Sequence, residues 1–189
     1  RPQTVNPPGR IPYAPGRKLC VLANQAIEES SGLACSRTNP GLFWTHNDSG
    51  GEARIYLFDS QGRDLGSTRL RGVFAFDWED IFSFTENGKN YLMICDVGNN
   101  GRAAGVQPIY LVEEPEIDPR RGVTQDTVSV AREIHVAYED DHRDCEAVAL
   151  DPTTKTIFFA TKEKNNGSLI YALDWPEEKP NHAFAAHRI

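Results

Sequence analysis

The residues with the clearest chemical potential are acidic residues that open apolar segments. Asp77, Glu79 and Asp80 lie within four positions of the chain, directly before an apolar run. Asp144 and Glu146 repeat the Asp-x-Glu spacing before a second apolar run, and an earlier, weaker copy keeps only the first carboxylate. Like charges this close repel one another unless a positive charge balances them. Converging carboxylates without a lysine or arginine nearby, as we expect here, suit a hard cation such as calcium, which takes six to eight oxygen ligands.

A second set of oxygen-bearing side chains lies in three loops that contain glycine, namely 46–51, 96–101 and 162–167. Asp, Asn and Gly side by side are also typical of tight turns, so the turn and ligand interpretations both stay open. The run 139–144 is the most acidic segment, either a solvated loop or a cover over the site. The predicted ion ligands are Asp77, Glu79, Asp80, Asp96, Asp144 and Glu146, followed by Asp48.

Catalysis has one weak candidate in this sequence, His46. Because His46 precedes Asp48 by two positions, it could act as a general base that a carboxylate orients. The chain has no G-x-S-x-G elbow, P-loop, dinucleotide fingerprint, haem motif or zinc motif. Whether the protein is an enzyme therefore stays undecided from the residues.

A divergent repeat indicates how these residues are positioned. An Ile-Tyr strand recurs at Tyr56, Tyr110 and Tyr171, and a second apolar strand and an acidic-start strand precede each one. A polar-leaning fourth strand follows at Gly66–Leu70, 127–136 and 183–189. No window shows helical periodicity, so four antiparallel strands per unit predict an all-β fold, a β-propeller. An irregular β-sandwich with coincidental Ile-Tyr pairs is the alternative.

The predicted organisation is a proline-rich extended arm over 1–17, then three blades at approximately 25–72, 73–140 and 141–189. Residues 18–23 read as a strand that a blade could borrow. The first strand of each blade lines the central channel, so the acidic openings would meet at one mouth of it. Because known propellers have about four to eight blades, either further blades in a longer chain or associated copies would complete the ring.

Composition limits the classes of partner and the cellular compartments that this chain fits. The net charge is -7 and no basic stripe is visible, which disfavours nucleic acid. No apolar run approaches the roughly 20 residues that span a bilayer. The four cysteines could form two disulfides in an exported protein or remain buried thiols. Asn47 and Asn166 stand in glycosylation sequons, which add slight support for a secreted glycoprotein.

The ordered motifs resemble a family of exported β-propeller proteins, mostly of unassigned function. The motifs are E-x-S-G-L-A at 29–34, W-x-H-N-D-S-G at 44–50, D-W-E-D at 77–80, D-x-G-x-N at 96–100 and D-x-E-A at 144–147. The family is similar to six-bladed NHL-type and phytase-esterase-like propellers. The resemblance implies a longer ring and an extracytoplasmic location, and it implies no reaction. Asn99 stands where the pattern usually has Asp.

Three functional hypotheses follow from the sequence. The first is a secreted β-propeller module for binding or assembly, with calcium at the channel mouth. The second is a metal-assisted hydrolase of phosphate or ester substrates, in which the same carboxylates hold the ion. The third is an extracellular matrix or filament subunit that self-associates through open blade edges.

Overall fold

The computed structural model describes residues 14–118, 120–165, 167–176 and 182–189. Within these ranges the chain forms fifteen β-strands and no helix, so the all-β prediction is confirmed. The described residues accordingly contain no helix that is long and apolar enough to cross a membrane. Most of the predicted proline-rich arm, residues 1–13, lies outside the described residues.

Twelve of the strands form three antiparallel meanders of four strands each. The strands are, in chain order, β1 Ser30–Cys35, β2 Leu42–Asn47, β3 Arg54–Asp59, β4 Asp64–Leu70, β5 Trp78–Glu86, β6 Lys89–Asp96, β7 Gln107–Glu113, β8 Ile117–Asp118, β9 Gly122–Val123, β10 Thr127–Val128, β11 Arg132–Tyr138, β12 Cys145–Asp151, β13 Thr156–Thr161, β14 Ile170–Asp174 and β15 Ala183–Arg188. The first meander is β1–β4, the second is β5, β6, β7 and β11, and the third is β12–β15. Each Ile-Tyr pair lies in the third strand of its meander, as the repeat predicts.

The meanders are joined into larger sheets by their outer strands. β10 pairs in parallel with β4, which gives a five-stranded sheet. β15 pairs in parallel with β11, so the second and third meanders form one eight-stranded sheet. The two end strands of that sheet, β5 and β12, contact each other, and the sheet is nearly closed into a barrel shape. β1 contacts β5 from the other side, so the first strands of the three meanders are neighbours.

The hydrophobic core fills the two interfaces between successive meanders. Trp44, Ile55 and Trp78 are fully buried between the first and second meanders. Phe159 and Tyr171 are buried in a second cluster, between the second and third meanders. Alternate residues of each strand face these two layers, which is the period-2 pattern expected for strands packed face to face. The packing therefore fixes how the acidic ends of the strands sit relative to one another.

Two strand predictions are corrected by the structure. Residues 18–23 form no strand, because they have no partner strand and touch the first meander through a backbone hydrogen bond from Ala23 N to the Gly62 carbonyl (2.9 Å). Leu19 and Val21 are accordingly 76% and 67% exposed. The single strand predicted over 127–136 is two strands, β10 and β11, in different sheets.

All four cysteines are free thiols, so the two predicted disulfides are absent, and the alternative of buried thiols applies to two of the four. Cys95 and Cys145 are completely buried in the core between the second and third meanders. Burial raises the pKa of Cys145 to about 12 and the pKa of Cys95 well above its ordinary value. Cys20 is partly exposed and Cys35 is exposed.

Candidate functional site

Three equivalent backbone hydrogen bonds bring the acidic segments to the same end of their meanders. Each bond joins a residue one or two positions after a second strand to the carbonyl of the acidic residue before the first strand. The three pairs are Asp48 N to Glu29 O (2.9 Å), Gly98 N to Asp77 O (3.0 Å) and Lys162 N to Asp144 O (2.8 Å). Because adjacent antiparallel strands begin and end together, the glycine-containing loops and the acidic openings share one edge. Asp48, Gly98 and Lys162 therefore donate equivalent amide bonds, although Gly98 lies one residue further beyond its strand than the other two.

Two further backbone bonds connect the meanders at this edge. Trp78 N donates to the Asp48 carbonyl (2.8 Å), and Cys145 N donates to the Val97 carbonyl (3.2 Å). Glu79 and Glu146 each follow one of these donors and occupy the extra position of a β-bulge. A bulge re-aims a side chain out of the regular alternation, so both glutamates can turn toward the shared edge.

Five of the predicted carboxylates meet there in two groups. The first carboxylate group is Asp48, Asp77 and Glu79, and the second carboxylate group is Glu79, Asp144 and Glu146. Within each group one ligand atom from every residue lies within 4.8 Å of the others. Glu79 belongs to both groups and is the centre of the site.

Glu79 has an unusual electrostatic environment. Only 8% of the residue is exposed, and within the described chain its carboxylate accepts no hydrogen bond and forms no ion pair. Burial, followed by the charges of Glu146 and Asp48, raises its pKa to about 8. A buried carboxylate without a donor costs free energy in its charged form.

The first carboxylate group carries uncompensated negative charge. Oδ1 of Asp48 is buried and has no hydrogen-bond partner among the residues that the structure describes. Burial and the adjacent charge of Asp48 raise the pKa of Asp77. No lysine or arginine among the described residues forms an ion pair with Asp48, Asp77 or Glu79.

The second carboxylate group is different, because a lysine reaches it. Nζ of Lys162 lies 2.7 Å from Oε1 of Glu146 in an ion pair. Oδ1 of Asp144 accepts a hydrogen bond from Asn99 N (2.7 Å). The expectation that the converging carboxylates have no lysine nearby is therefore wrong for Glu146 and applies only to the first group.

Gly98 makes the approach of Asp77 and Glu79 possible. A Cβ at position 98 would lie against Cγ of Asp77 and 2.5 Å from Oε1 of Glu79. The φ angle of Gly98 is not positive, so close approach rather than backbone conformation explains the glycine. Gly98 is not among the predicted site residues, and its place in a glycine-containing loop just after a second strand is the signal that could have identified it.

Asp80 and Asp96 lie outside both carboxylate groups and stabilise the backbone. Oδ2 of Asp80 accepts a hydrogen bond from Val148 N (2.8 Å), which connects β5 to β12, and its Oδ1 accepts one from Ile81 N. Asp96 accepts bonds from the amides of residues 76 and 77 and thereby holds the segment that enters β5. Burial raises the pKa of both carboxyl groups, while these amides oppose the shift.

Glu29 contributes its carbonyl to this edge and also lies outside the two groups.

The catalytic candidate His46 is a core residue. Its ring is 0% exposed, packs edge-on against Trp78 at 5.4 Å between centroids, and has Nδ1 2.9 Å from the Asn47 carbonyl. Burial lowers its pKa. A general base must reach a proton of the substrate, and a completely enclosed ring offers no such access here.

Asn99, the departure from the family pattern, organises the loop between β6 and β7. Its Nδ2 donates to the carbonyls of Ala104 (2.8 Å) and Arg143 (3.3 Å), and its Oδ1 accepts bonds from the amides of residues 103 and 104. A carboxylate at this position could not donate to the two carbonyls.

Comparison with protein-family models and with curated protein sequences finds no match for this chain.

Proposed function

We propose that this protein is a β-propeller module that binds a divalent cation, calcium, and acts in binding or assembly. The observation that carries the proposal is Glu79, a residue that is only 8% exposed, whose carboxylate has no donor among the described residues and belongs to both carboxylate groups. An ion at the first carboxylate group would neutralise Asp48, Asp77 and Glu79 together. It would also connect the first meander, which supplies Asp48, to the second.

The propeller interpretation has topological support. Each meander has its strands in sequential order, and the first strands β1, β5 and β12 are neighbours, as channel-lining strands of successive blades would be. The parallel pairing of β15 with β11 departs from that pattern, because it joins two four-stranded sheets that successive blades would keep separate. Further blades or other copies of the chain would complete the ring.

Calcium is the proposed ion because of the ligand set. Three carboxylates at one position give up to six oxygen atoms, and flexible geometry with six to eight oxygens is what calcium takes. Magnesium demands a smaller octahedral site and dehydrates reluctantly, so we expect it to bind more weakly.

The secreted location is part of the proposal and rests on the family resemblance. Asn47, one of the two sequon asparagines, uses its side chain within the fold. Its Nδ2 donates to the Ala26 carbonyl (2.8 Å), and its Oδ1 accepts from the amides of residues 28 and 29. A glycan at this nitrogen would disrupt these contacts, so we expect Asn47 to be unmodified.

Thermal unfolding in calcium and in EDTA tests the ion site. We expect calcium at about 100 times its Kd to stabilise the protein by about 2.7 kcal/mol. This corresponds to a rise in Tm of about 5–11 °C for a domain of this size. Asp77→Asn should lose most of the rise, whereas Asp174→Asn, an exposed carboxylate at another strand end, should keep it. Equal Tm values in calcium and EDTA would contradict the proposal.

A further inference from the structure

Two exposed phenylalanines lie directly before the acidic segment that enters β5. Phe74 and Phe76 are 76% and 72% exposed, and their ring centroids are 6.5 Å apart. Both belong to the connection between β4 and β5, at the edge that carries the carboxylate groups. Neighbouring exposed aromatic side chains on a soluble domain mark interaction surfaces more often than isolated ones do.

An apolar groove continues from Phe76 to the carboxylates. The groove has a volume of about 290 Å³, and its apolar walls are Phe76, Ala104, Val106 and Pro108. Gly98 is part of the same lining, and a Cβ at Gly98 would touch Asp77 and Glu79. The groove and the acidic site are therefore about one side chain apart.

The charge at this edge favours a positively charged occupant. Five carboxylates meet here, and Lys162 is the ammonium group that the described residues pair with one of them. One divalent ion together with Lys162 still leaves the edge negatively charged. An anionic ligand would meet repulsion, whereas a basic side chain would gain from the field with or without the ion.

We propose that this edge binds a protein segment in which a basic side chain stands beside an apolar one. The apolar side chain would enter the groove between Phe76 and Val106. The basic side chain would lie over the phenylalanine rings, where cation–π contact is favourable, and point toward Asp77. The proposal names the partner class of the binding module above and rests on that function, although the surface itself does not require the ion.

Three fluorescently labelled hexapeptides test the proposal with the full chain. One alternates Leu and Arg, one alternates Leu and Glu, and one alternates Ser and Arg. We expect the Leu/Arg peptide to bind at least about tenfold more tightly than either control, a difference of about 1.4 kcal/mol. Equal or tighter binding of the Leu/Glu peptide would overturn the proposal, as would absence of Leu/Arg binding at about 1 mM peptide.

Substitutions then locate the surface and separate it from the ion site. The double variant Phe74→Ser, Phe76→Ser should lose at least about tenfold of Leu/Arg affinity and keep the calcium-induced rise in Tm. The matched control Leu19→Ser, Val21→Ser removes equally exposed apolar side chains elsewhere and should keep both properties. Unchanged peptide binding in the Phe74/Phe76 variant would refute this surface. A missing calcium response with intact peptide binding would refute only the ion site.

Discussion

The two interfaces between successive meanders have similar backbone hydrogen bonds but differ in how their carboxylate charges are compensated. At the first interface Asp48, Asp77 and Glu79 face one another with no cationic partner in the described chain. At the second interface Lys162 pairs with Glu146. A side-chain charge thus compensates part of the second interface, and the first interface is where we propose that the ion binds.

The residues just after the second strands contribute to this difference. After the second strand of each meander the chain has Asp48, Gly98 and Lys162, and each donates its amide to an equivalent carbonyl. The aspartate adds a carboxylate, the glycine makes room for two of them, and the lysine supplies an ammonium group. A repeat can thus keep its backbone hydrogen bonds while the side chains at the bonded residues change the charge around them.

Asp48→Lys should replace one carboxylate of the first carboxylate group by an ammonium group and has the largest expected effect. The ammonium group would take the place of the ion, so the calcium-induced rise in Tm should disappear. Relief of repulsion should also raise Tm in EDTA, by about 2–4 °C for each kcal/mol gained. Ser49→Lys adds the same charge at an exposed neighbouring residue and should keep the calcium response. A calcium response that survives in Asp48→Lys would remove Asp48 from the site.

Gly98→Ala should disturb the approach of Asp77 and Glu79 without changing any charge. We expect overpacking to cost about 1–3 kcal/mol of unfolding free energy. Calcium affinity should fall by about tenfold, because the two carboxylates can no longer occupy their present positions. Calorimetric titration and urea unfolding measure both effects. Gly101→Ala, in the same loop with no atom within 4 Å of its added Cβ, should leave both unchanged.

The pH dependence of stability in EDTA gives a smaller but distinctive effect. The pKa of Glu79 is raised from 4.5 to about 8, so the folded chain binds this proton more tightly than the unfolded chain does. The contribution of Glu79 to stability should therefore fall as pH rises from about 4.5 to about 8. Urea unfolding across this range measures the slope, and Glu79→Gln should reduce it. Calcium should oppose the fall at high pH because it binds the deprotonated form. Identical slopes in wild type and Glu79→Gln would contradict the assigned environment.

The order of the strands could be predicted from local pattern because that pattern is repeated. The Ile-Tyr pairs and the turn at Asn87-Gly88, where both residues have positive φ, identify strands and hairpins directly. Residues 18–23 have the same apolar character, yet they form no strand because a strand also needs an edge to pair with. Pairing partners are non-local, and a single apolar run carries no information about them.

The candidate site, like the strands, could be predicted from the sequence only in part. The sequence indicated all five carboxylates of the two groups, since three strand openings with acidic residues must share an edge. It also indicated Asp80 and Asp96, which the fold uses to hold backbone amides of β5, of the segment entering it and of β12. Carboxylates that bind amides and carboxylates that face one another have the same sequence signature, so pattern alone could not separate them.

The sequence by itself determined that this chain is all-β, built from repeated four-stranded units whose acidic ends recur at one position. Only the tertiary structure decided that Glu79 is buried without a donor and that Lys162 compensates one interface and not the other. The physical reason is that the two properties depend on residues at different separations along the chain. Strand formation follows from neighbouring residues and turns, whereas the charge state of a carboxylate depends on atoms that distant segments bring within a few ångströms.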